Sequence, residues 1–334
     1  MDFSILNQSP VLDGHTVAAS LKDTVDLAIR ADSLGYRRYF VAEHHNDENL
    51  AGTAPEIMIS HLLAHTEQMH IGSGGVMLQH YNPFKVAEQF QLMQHLGSGR
   101  VDLGVGKAPG GLPLSTQALQ HGLREEAVSF DRKFKDLKRF LSQEPPEGWD
   151  GLKTSPDTSH PPDLFLLGSS PSSARFAAEE GAHFIYAHFI TNNERLLEES
   201  IRAFREYNGR GRFVVALSVL VTDDPHTQEK IISRNRIFKL TFEDGRVLRV
   251  GSEDKADELL STTSGQVDVE IIEPHIVAGT AAEVLSTLDE MASKTGIDEL
   301  MFHLPTHDAA LRHETVQALA PVHTIHAAQK SNTL

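Results

Sequence analysis

The sequence predicts an α/β protein folded as a (β/α)8 TIM barrel with an insertion after strand seven. Two observations carry this. Eight apolar runs alternate with amphipathic stretches along 334 residues; such alternation implies parallel strands and right-handed crossovers, and eight units close a barrel. The runs are also continuously apolar, as in Tyr39-Phe40-Val41-Ala42, which is the pattern of strands buried on both faces. An open doubly wound sheet is the main competitor. A length of 334 residues suits one α/β barrel as well as two smaller domains, and 1–334 reads as a single domain.

Strand one is expected over 2–8, followed by a helix over 16–34 with Thr16 as its cap and Gly35 as its stop. Strand two covers 36–43 with a helix at 55–67, strand three 69–78 with a helix at 84–96, and strand four 101–107. A long loop then leads to a charged helix near 121–142. Residues 143–162 are rich in Pro, Gly, Ser and Asp and read as an exposed connection. Strand five spans 163–168 with a helix at 171–181, strand six 183–190 with a helix at 193–208, and strand seven 213–222. The irregular stretch 240–279 contains Asp244-Gly245 between β-prone runs, which signals a hairpin. A helix at 281–295, strand eight at 299–304 and a helix at about 308–328 complete the chain.

Composition narrows the function. With 40% hydrophobic and 23% charged residues the chain can bury a large core. No apolar run approaches the roughly 20 residues needed to span a bilayer, and no basic-then-apolar leader opens the chain; a cytoplasmic location is expected and no membrane partner. There are no cysteines, which excludes disulfides, thiolate metal sites and a Cys nucleophile. The net charge of −16 comes without a dense basic tract, so nucleic acid is not an expected partner. An anionic ligand would need local dipoles to overcome the global field.

Ligands of α/β folds bind at strand C-termini, so polar residues there carry the chemistry. Glu43-His44-His45-Asn46 ends strand two. Imidazole titrates near neutrality and can serve as acid or base; a satisfied interior imidazole beside a solvated one explains the pair equally well. Gly72-Ser73-Gly74-Gly75 ends strand three and implies either close backbone approach to a flat ligand or a bulge. Gly104 to Gly111 ends strand four and contains Lys107, a positive charge for a phosphate or simply an exposed lysine. It fits neither the dinucleotide fingerprint nor the P-loop. Gly168-Ser169-Ser170-Pro171-Ser172-Ser173 opens a helix, where hydroxyls, free N–H groups and the helix dipole favour an anion, although N-capping needs only one of these serines. His188 stands near the end of strand six and joins His45 as a substrate-pocket candidate. His61 and His65 share a helix face, but Leu62 stands where a zinc helix carries Glu, so no metal is expected.

Taken together, EHHN, APEIMISHLLAHT, GSGGVML, NPFKVAEQF, GRVDLGVGKAPG, LLGSSPSSARFAAEEG and GTAAEVLSTLDEMASKTGIDELMFHLP resemble the bacterial luciferase-like flavin-dependent monooxygenases. The resemblance covers nearly the whole chain and is nearest to the small single-chain members. It implies reduced FMN at the strand C-termini and reaction with O2 through a C4a-peroxide to oxidise a small organic substrate. It further implies His44 as the catalytic residue beside the flavin, a cis peptide at Gly74-Gly75 beneath the ring, and phosphate binding by Lys107, Ser169, Ser170 and Ser173. FMNH2 from a separate flavin reductase, a homodimer through outer helices, and a lid formed by 240–279 are the accompanying expectations. A flavin-binding protein without turnover and a deazaflavin-dependent dehydrogenase on the same barrel are the alternatives.

Overall fold

The computed structural model describes residues 1–121, 128–207 and 211–321. Strand β1 (Asp2–Asn7) leads to helix α1 (Val17–Ser33), whose cap is Thr16, as expected; its Oγ1 accepts from the Ala19 N–H. The helix buries Thr24, Leu27, Ala28 and Ala31 on one face, and this apolar stripe fixes how it lies on the sheet. Strand β2 (Arg38–Val41) and helix α2 (Pro55–Leu63) follow, then the short strands β3 (His70–Ser73) and β4 (Val76–Met77) and a 3-10 turn at Leu78–His80. Helix α3 (Pro83–Leu96), strand β5 (Val101–Gly106) and helices α4 (Pro113–Leu119) and α5 (Phe130–Leu141) come next.

The second half alternates as regularly. It comprises β6 (Asp163–Gly168), α6 (Pro171–Glu179), β7 (His183–Ala187), α7 (His188–Thr191), α8 (Glu194–Tyr207) and β8 (Phe213–Val221). After α9 (Pro225–Arg234) come β9 (Ile237–Phe242), β10 (Val247–Val250), α10 (Glu253–Thr262), β11 (Val267–Ile272) and β12 (Ile276–Gly279). Helix α11 (Ala281–Thr295), strand β13 (Glu299–His303) and helix α12 (Ala309–Ala318) close the described chain.

Parallel pairing runs β8–β13–β1–β2–β3–β5–β6–β7 and returns from β7 to β8. The eight strands therefore form a closed barrel, which removes every edge among them. Leu6, Phe40, Phe165, Ile185, Val214, Ala216 and Met301 fill its interior. A larger apolar layer lies outside the strands, beneath the helices, and includes Leu27, Ile59, Phe90, Phe134 and Phe204. Each such side chain contributes roughly 1.5–3 kcal/mol by leaving water, and truncating Phe90 to Ala would cost about 3–5 kcal/mol.

Several expectations need adjustment. Strand three is split at Gly74–Gly75, because the Ser73 hydroxyl donates to Gly104 O (2.7 Å) and accepts from Gly104 N–H (3.0 Å) where strand pairing would continue. Strand six stops at Ala187, and the chain turns at once into α7. The charged helix begins at its Ser129 cap, and residues 122–127 lie outside the described residues, as do 208 and 322–328. The insertion is more regular than its sequence suggested. β10–β9–β11 form an antiparallel sheet with the expected hairpin at Asp244-Gly245, packed with α10 over Phe238, Leu240, Phe242 and Ala256.

Candidate active site

Glu43 organises the end of β2. It is fully buried, and its carboxylate accepts from Tyr81 Oη (2.6 Å), His45 Nε2 (2.8 Å) and the Met77 N–H (3.0 Å). Burial and this carboxylate push the Tyr81 phenol up, so the phenol stays protonated and donates. Both carboxylate oxygens are thus committed to positioning, which suits an orienting role. His45 is committed too: besides its bond to Glu43, its N–H donates to Gly110 O (2.8 Å) in the loop after β5.

His44 differs from its neighbours. Its backbone N–H donates to Gly52 O (2.8 Å), but its Nδ1 is buried with no hydrogen-bond partner among the described residues. Burial lowers the imidazole to about 4, so at neutral pH it is uncharged. A neutral ring with an unused nitrogen at a strand C-terminus is a proton acceptor or donor waiting for a partner.

The glycines between β3 and β4 are required by strand contact. The Gly74–Gly75 peptide is cis, as the resemblance implied. A Cβ on Gly75 would lie 2.8 Å from Gly104 O, and one on Gly104 only 2.1 Å from Ser73 O. The two backbones touch here, so the close approach predicted from sequence is at least in part strand to strand.

Lys107 and the serines sit side by side. The pairing of β5 with β6 sets Gly106 opposite Leu167, so Lys107 follows one strand end and Ser169 the next. Lys107 is exposed, with its Nζ 5.9 Å from the Phe130 ring centre. Ser170 is the cap of α6: its Oγ accepts from the Ser173 N–H (3.3 Å) and lies 3.0 Å from the hydroxyls of Ser172 and Ser173. One serine therefore caps, and three further hydroxyls surround the same helix start.

His188 takes a different place. It opens α7 at 2% exposure, its ring 6.1 Å from Tyr186 and 6.0 Å from His275. Tyr186 belongs to the layer beneath the helices, whereas the next residue, Phe189, packs against the barrel interior. Phe189 stacks on His303 at 4.8 Å. His61 sits exposed on α2 and His65 in the turn just after it, their rings 4.6 Å apart.

His303, at the end of β13, escaped the sequence reading. Its Nδ1 lies 2.9 Å from Ser218 Oγ and its Nε2 3.1 Å from Gln8 Oε1. An amide oxygen only accepts, so Nε2 carries the proton and Nδ1 accepts from the serine. Burial, then the nearby Arg312 and His44, lower it to about 3. The strand-end rule applied to strand eight would have found it. Ser9, after β1, was missed as well; its hydroxyl is buried without a partner among the described residues.

The insertion touches this mouth twice. Leu112, in the loop after β5, packs into its small core, and Lys255 of α10 pairs with Asp47 (2.7 Å), three residues past His44. An open depression of about 720 Å³ lies between α8 and α11, and none of the strand-end residues line it. Among the described residues no helix is long and apolar enough to cross a membrane.

Comparison with known proteins agrees with this geometry. A family model described as luciferase-like monooxygenase matches residues 1–299. N-acetyl-S-alkylcysteine monooxygenase of Bacillus subtilis (strain 168) is 38% identical over 322 residues, covering 95% of this chain and 96% of that protein. The crystal structure of apo-MsnO8 superposes with a TM-score of 0.74 at 30% identity, over 96% of each chain. The FMN complex of the oxygenating constituent of 3,6-diketocamphane monooxygenase from Pseudomonas putida gives a TM-score of 0.68 over 96% of this chain and 97% of that one; at 15% identity it shares the fold.

Proposed function

The chain belongs to the luciferase-like monooxygenase family and is an oxidoreductase that incorporates molecular oxygen, and from that premise we propose that it uses reduced FMN to oxygenate a small thioether, with His44 as the proton-transfer residue. The observation that carries the reading is the buried Nδ1 of a neutral His44, without a partner among the described residues, three residues past Val41, whose carbonyl accepts from the Gly74 N–H.

The residues fit the cofactor. A flat ring needs a wall without side chains, and Gly74-Gly75 supplies one. A phosphate needs donors and positive charge, and the start of α6 with Ser169, Ser170 and Ser173 supplies both, with Lys107 alongside. Lysine provides a point charge rather than a bidentate fork. When bound, reduced FMN supplies the two electrons that let one oxygen atom enter the substrate while the other leaves as water. Within the mouth, the chain's own task is to hold the ring, keep water out and move a proton at His44. Glu43 and Tyr81 fix the backbone that presents it.

Further parts of the reading follow. A separate flavin reductase supplies FMNH2, in a cytoplasmic setting. The segment 240–279 closes over the mouth, tethered by Lys255–Asp47; equal proteolytic cleavage there with and without reduced FMN would count against it. A second copy covers the outer face of α2 and α3, where Ile57 is 70%, Leu92 49% and Leu96 63% exposed.

The deciding experiment supplies photoreduced FMN, air and N-acetyl-S-benzyl-L-cysteine, and reads oxygen uptake and sulfoxide by mass spectrometry. Oxygen consumed with matching sulfoxide supports the assignment. Binding of FMNH2 without any product from a broad substrate library would favour a flavin-binding role, and reduction of a deazaflavin by a substrate without oxygen uptake would favour the dehydrogenase.

A further inference from the structure

Beside His303 the barrel mouth extends into a recess of about 30 Å³. One water needs roughly 10–15 Å³, so the recess has room for about two waters, or for a group of that size such as a carboxylate. It is lined by Leu6, Gln8, Leu50, His303, His307 and Arg312, among others. Leu6 is shared with the proposed flavin wall, since a Cβ on Gly74 would lie 2.5 Å from Leu6 Cδ1. The recess and the proposed flavin wall therefore meet at Leu6.

Arg312 is the anomaly. It is 2% exposed, yet among the described residues it forms no ion pair. Its Nη1 donates to the carbonyls of Leu304 (3.2 Å) and Thr306 (3.3 Å), and its Nε has no partner among the described residues. Asp23, whose charge acts on it, is bonded to His313 (3.0 Å). A buried guanidinium without a counter-ion is costly. Elsewhere in this chain the buried Arg38 is answered by Asp102 and Glu299.

The histidines around it do not compete for an anion by charge. His307 Nδ1 donates to Val11 O (2.8 Å), and burial lowers both His307 and His303. Arg312 is thus the one cationic group on the recess wall among its described lining residues, and Gln8 adds an amide donor.

We propose that this recess is the subsite for the substrate's carboxylate, held by Arg312 and Gln8, so that the enzyme selects small acids whose oxidisable atom lies a few bonds from a free carboxylate. The subsite supplies locally the positive potential that a chain of net charge −16 otherwise denies an anion. It deepens the thioether reading above and rests on it for the substrate's class.

The test uses calorimetric titration with N-acetyl-S-benzyl-L-cysteine and with its primary carboxamide, in the absence and presence of oxidised FMN. The wild-type protein is expected to bind the acid about 10- to 100-fold more tightly than the amide, the range for hydrogen bonds to a charged group. Arg312→Lys keeps most of that preference and Arg312→Gln loses it. Gln8→Glu, which places a carboxylate in the recess while still accepting from His303, also loses it and decides the matter if Arg312→Gln fails to fold. Equal affinity for acid and amide, no binding of the acid at millimolar concentration, or an acid preference intact in Gln8→Glu overturns the subsite. Failure of the oxygenase reading shows separately, as acid binding that persists without flavin-dependent oxygen uptake.

Discussion

At the N-terminal end of the barrel, Arg38 is 1% exposed and lies between Asp102 and Glu299. Glu299 also accepts from Ser4 (2.6 Å) and Arg212 (3.3 Å), Asp102 is met by His70 (3.1 Å), and the guanidinium lies 5.1 Å from the Phe165 ring centre. At the C-terminal end, Nδ1 of His44, just past β2, and Nε of Arg312, on α12, are also buried, yet neither has a partner among the described residues. Both ends hide polar groups: the lower cluster is closed by its ion pairs, whereas at the mouth Glu43 and His303 are answered and His44 and Arg312 are not. Satisfied groups at the bottom of a barrel serve stability, whereas unanswered ones at its mouth cost stability and are kept where a ligand completes them.

The largest break of this contrast is His44→Ala. Turnover should fall about 10²- to 10⁴-fold, the usual contribution of a positioned acid–base group, while FMN still binds and the thermal midpoint does not fall. Product formed per oxygen consumed, measured beside the midpoint, checks both halves. Wild-type coupling in the variant would sink the assigned role.

Arg38→Met is the converse. It leaves Asp102 and Glu299 buried without their cation, at a cost of about 3–5 kcal/mol, read as a lowered urea midpoint. Activity per folded molecule should be unchanged. A variant as stable as wild type would show that the lower cluster is not held by its charges.

Acid separates the ends more finely. His44 and His303 are held at about 4 and about 3 by burial, against about 6.5 for an unperturbed imidazole. Because the folded values are the lower ones, the unfolded chain binds more protons as the pH drops. The stability tied to these neutral rings is fully present above about pH 6.5 and is lost as the pH falls towards 4 and then 3. For each ring this amounts to roughly 1–3 kcal/mol, allowing for solvent in the mouth. His303→Asn should flatten the decline in unfolding free energy between pH 6.5 and 4; parallel curves for variant and wild type would contradict the assignment.

Much of the mouth could be read in the sequence, for a local reason: strand, glycine and cap signals lie within a few residues of the groups they position. His44, Gly74, Gly75, Lys107 and the serines each sit where an apolar run stops. His303 was harder, because it ends its strand alone, with no glycine or second imidazole beside it. The pairing of Arg38 with Asp102 and Glu299 joins positions 64 and 261 residues apart, and no local pattern encodes that. The recess at Arg312 was equally hidden, since helix α12 reaches it only through closure of the barrel. The end of strand six was also hidden: reading it to residue 190 overlooked the turn at Ala187, after which Phe189 packs against the interior.

Lys107→Met brings the comparison to an exposed group at the mouth. With no buried partner to abandon, the substitution should leave the urea midpoint unchanged and weaken FMN binding about three- to tenfold, as loss of a partly solvated charge does. Fluorescence titration of FMN checks it, and an unchanged affinity would remove Lys107 from the phosphate site.

The smallest expected effects come from neighbouring hydroxyls with different duties. Ser170 caps α6, so Ser170→Ala should cost about 1 kcal/mol of stability, and it disturbs FMN binding as well by loosening the helix start. Ser173 donates its backbone N–H to that cap, a bond that survives loss of its side chain. Ser173→Ala should therefore hold wild-type stability within about 0.5 kcal/mol and weaken FMN alone, severalfold. If both variants lost only stability, the serine cluster would be ordinary capping. If Ser173→Ala lost affinity at constant stability, the same helix start would serve the lower end's purpose with one hydroxyl and the upper end's with the next.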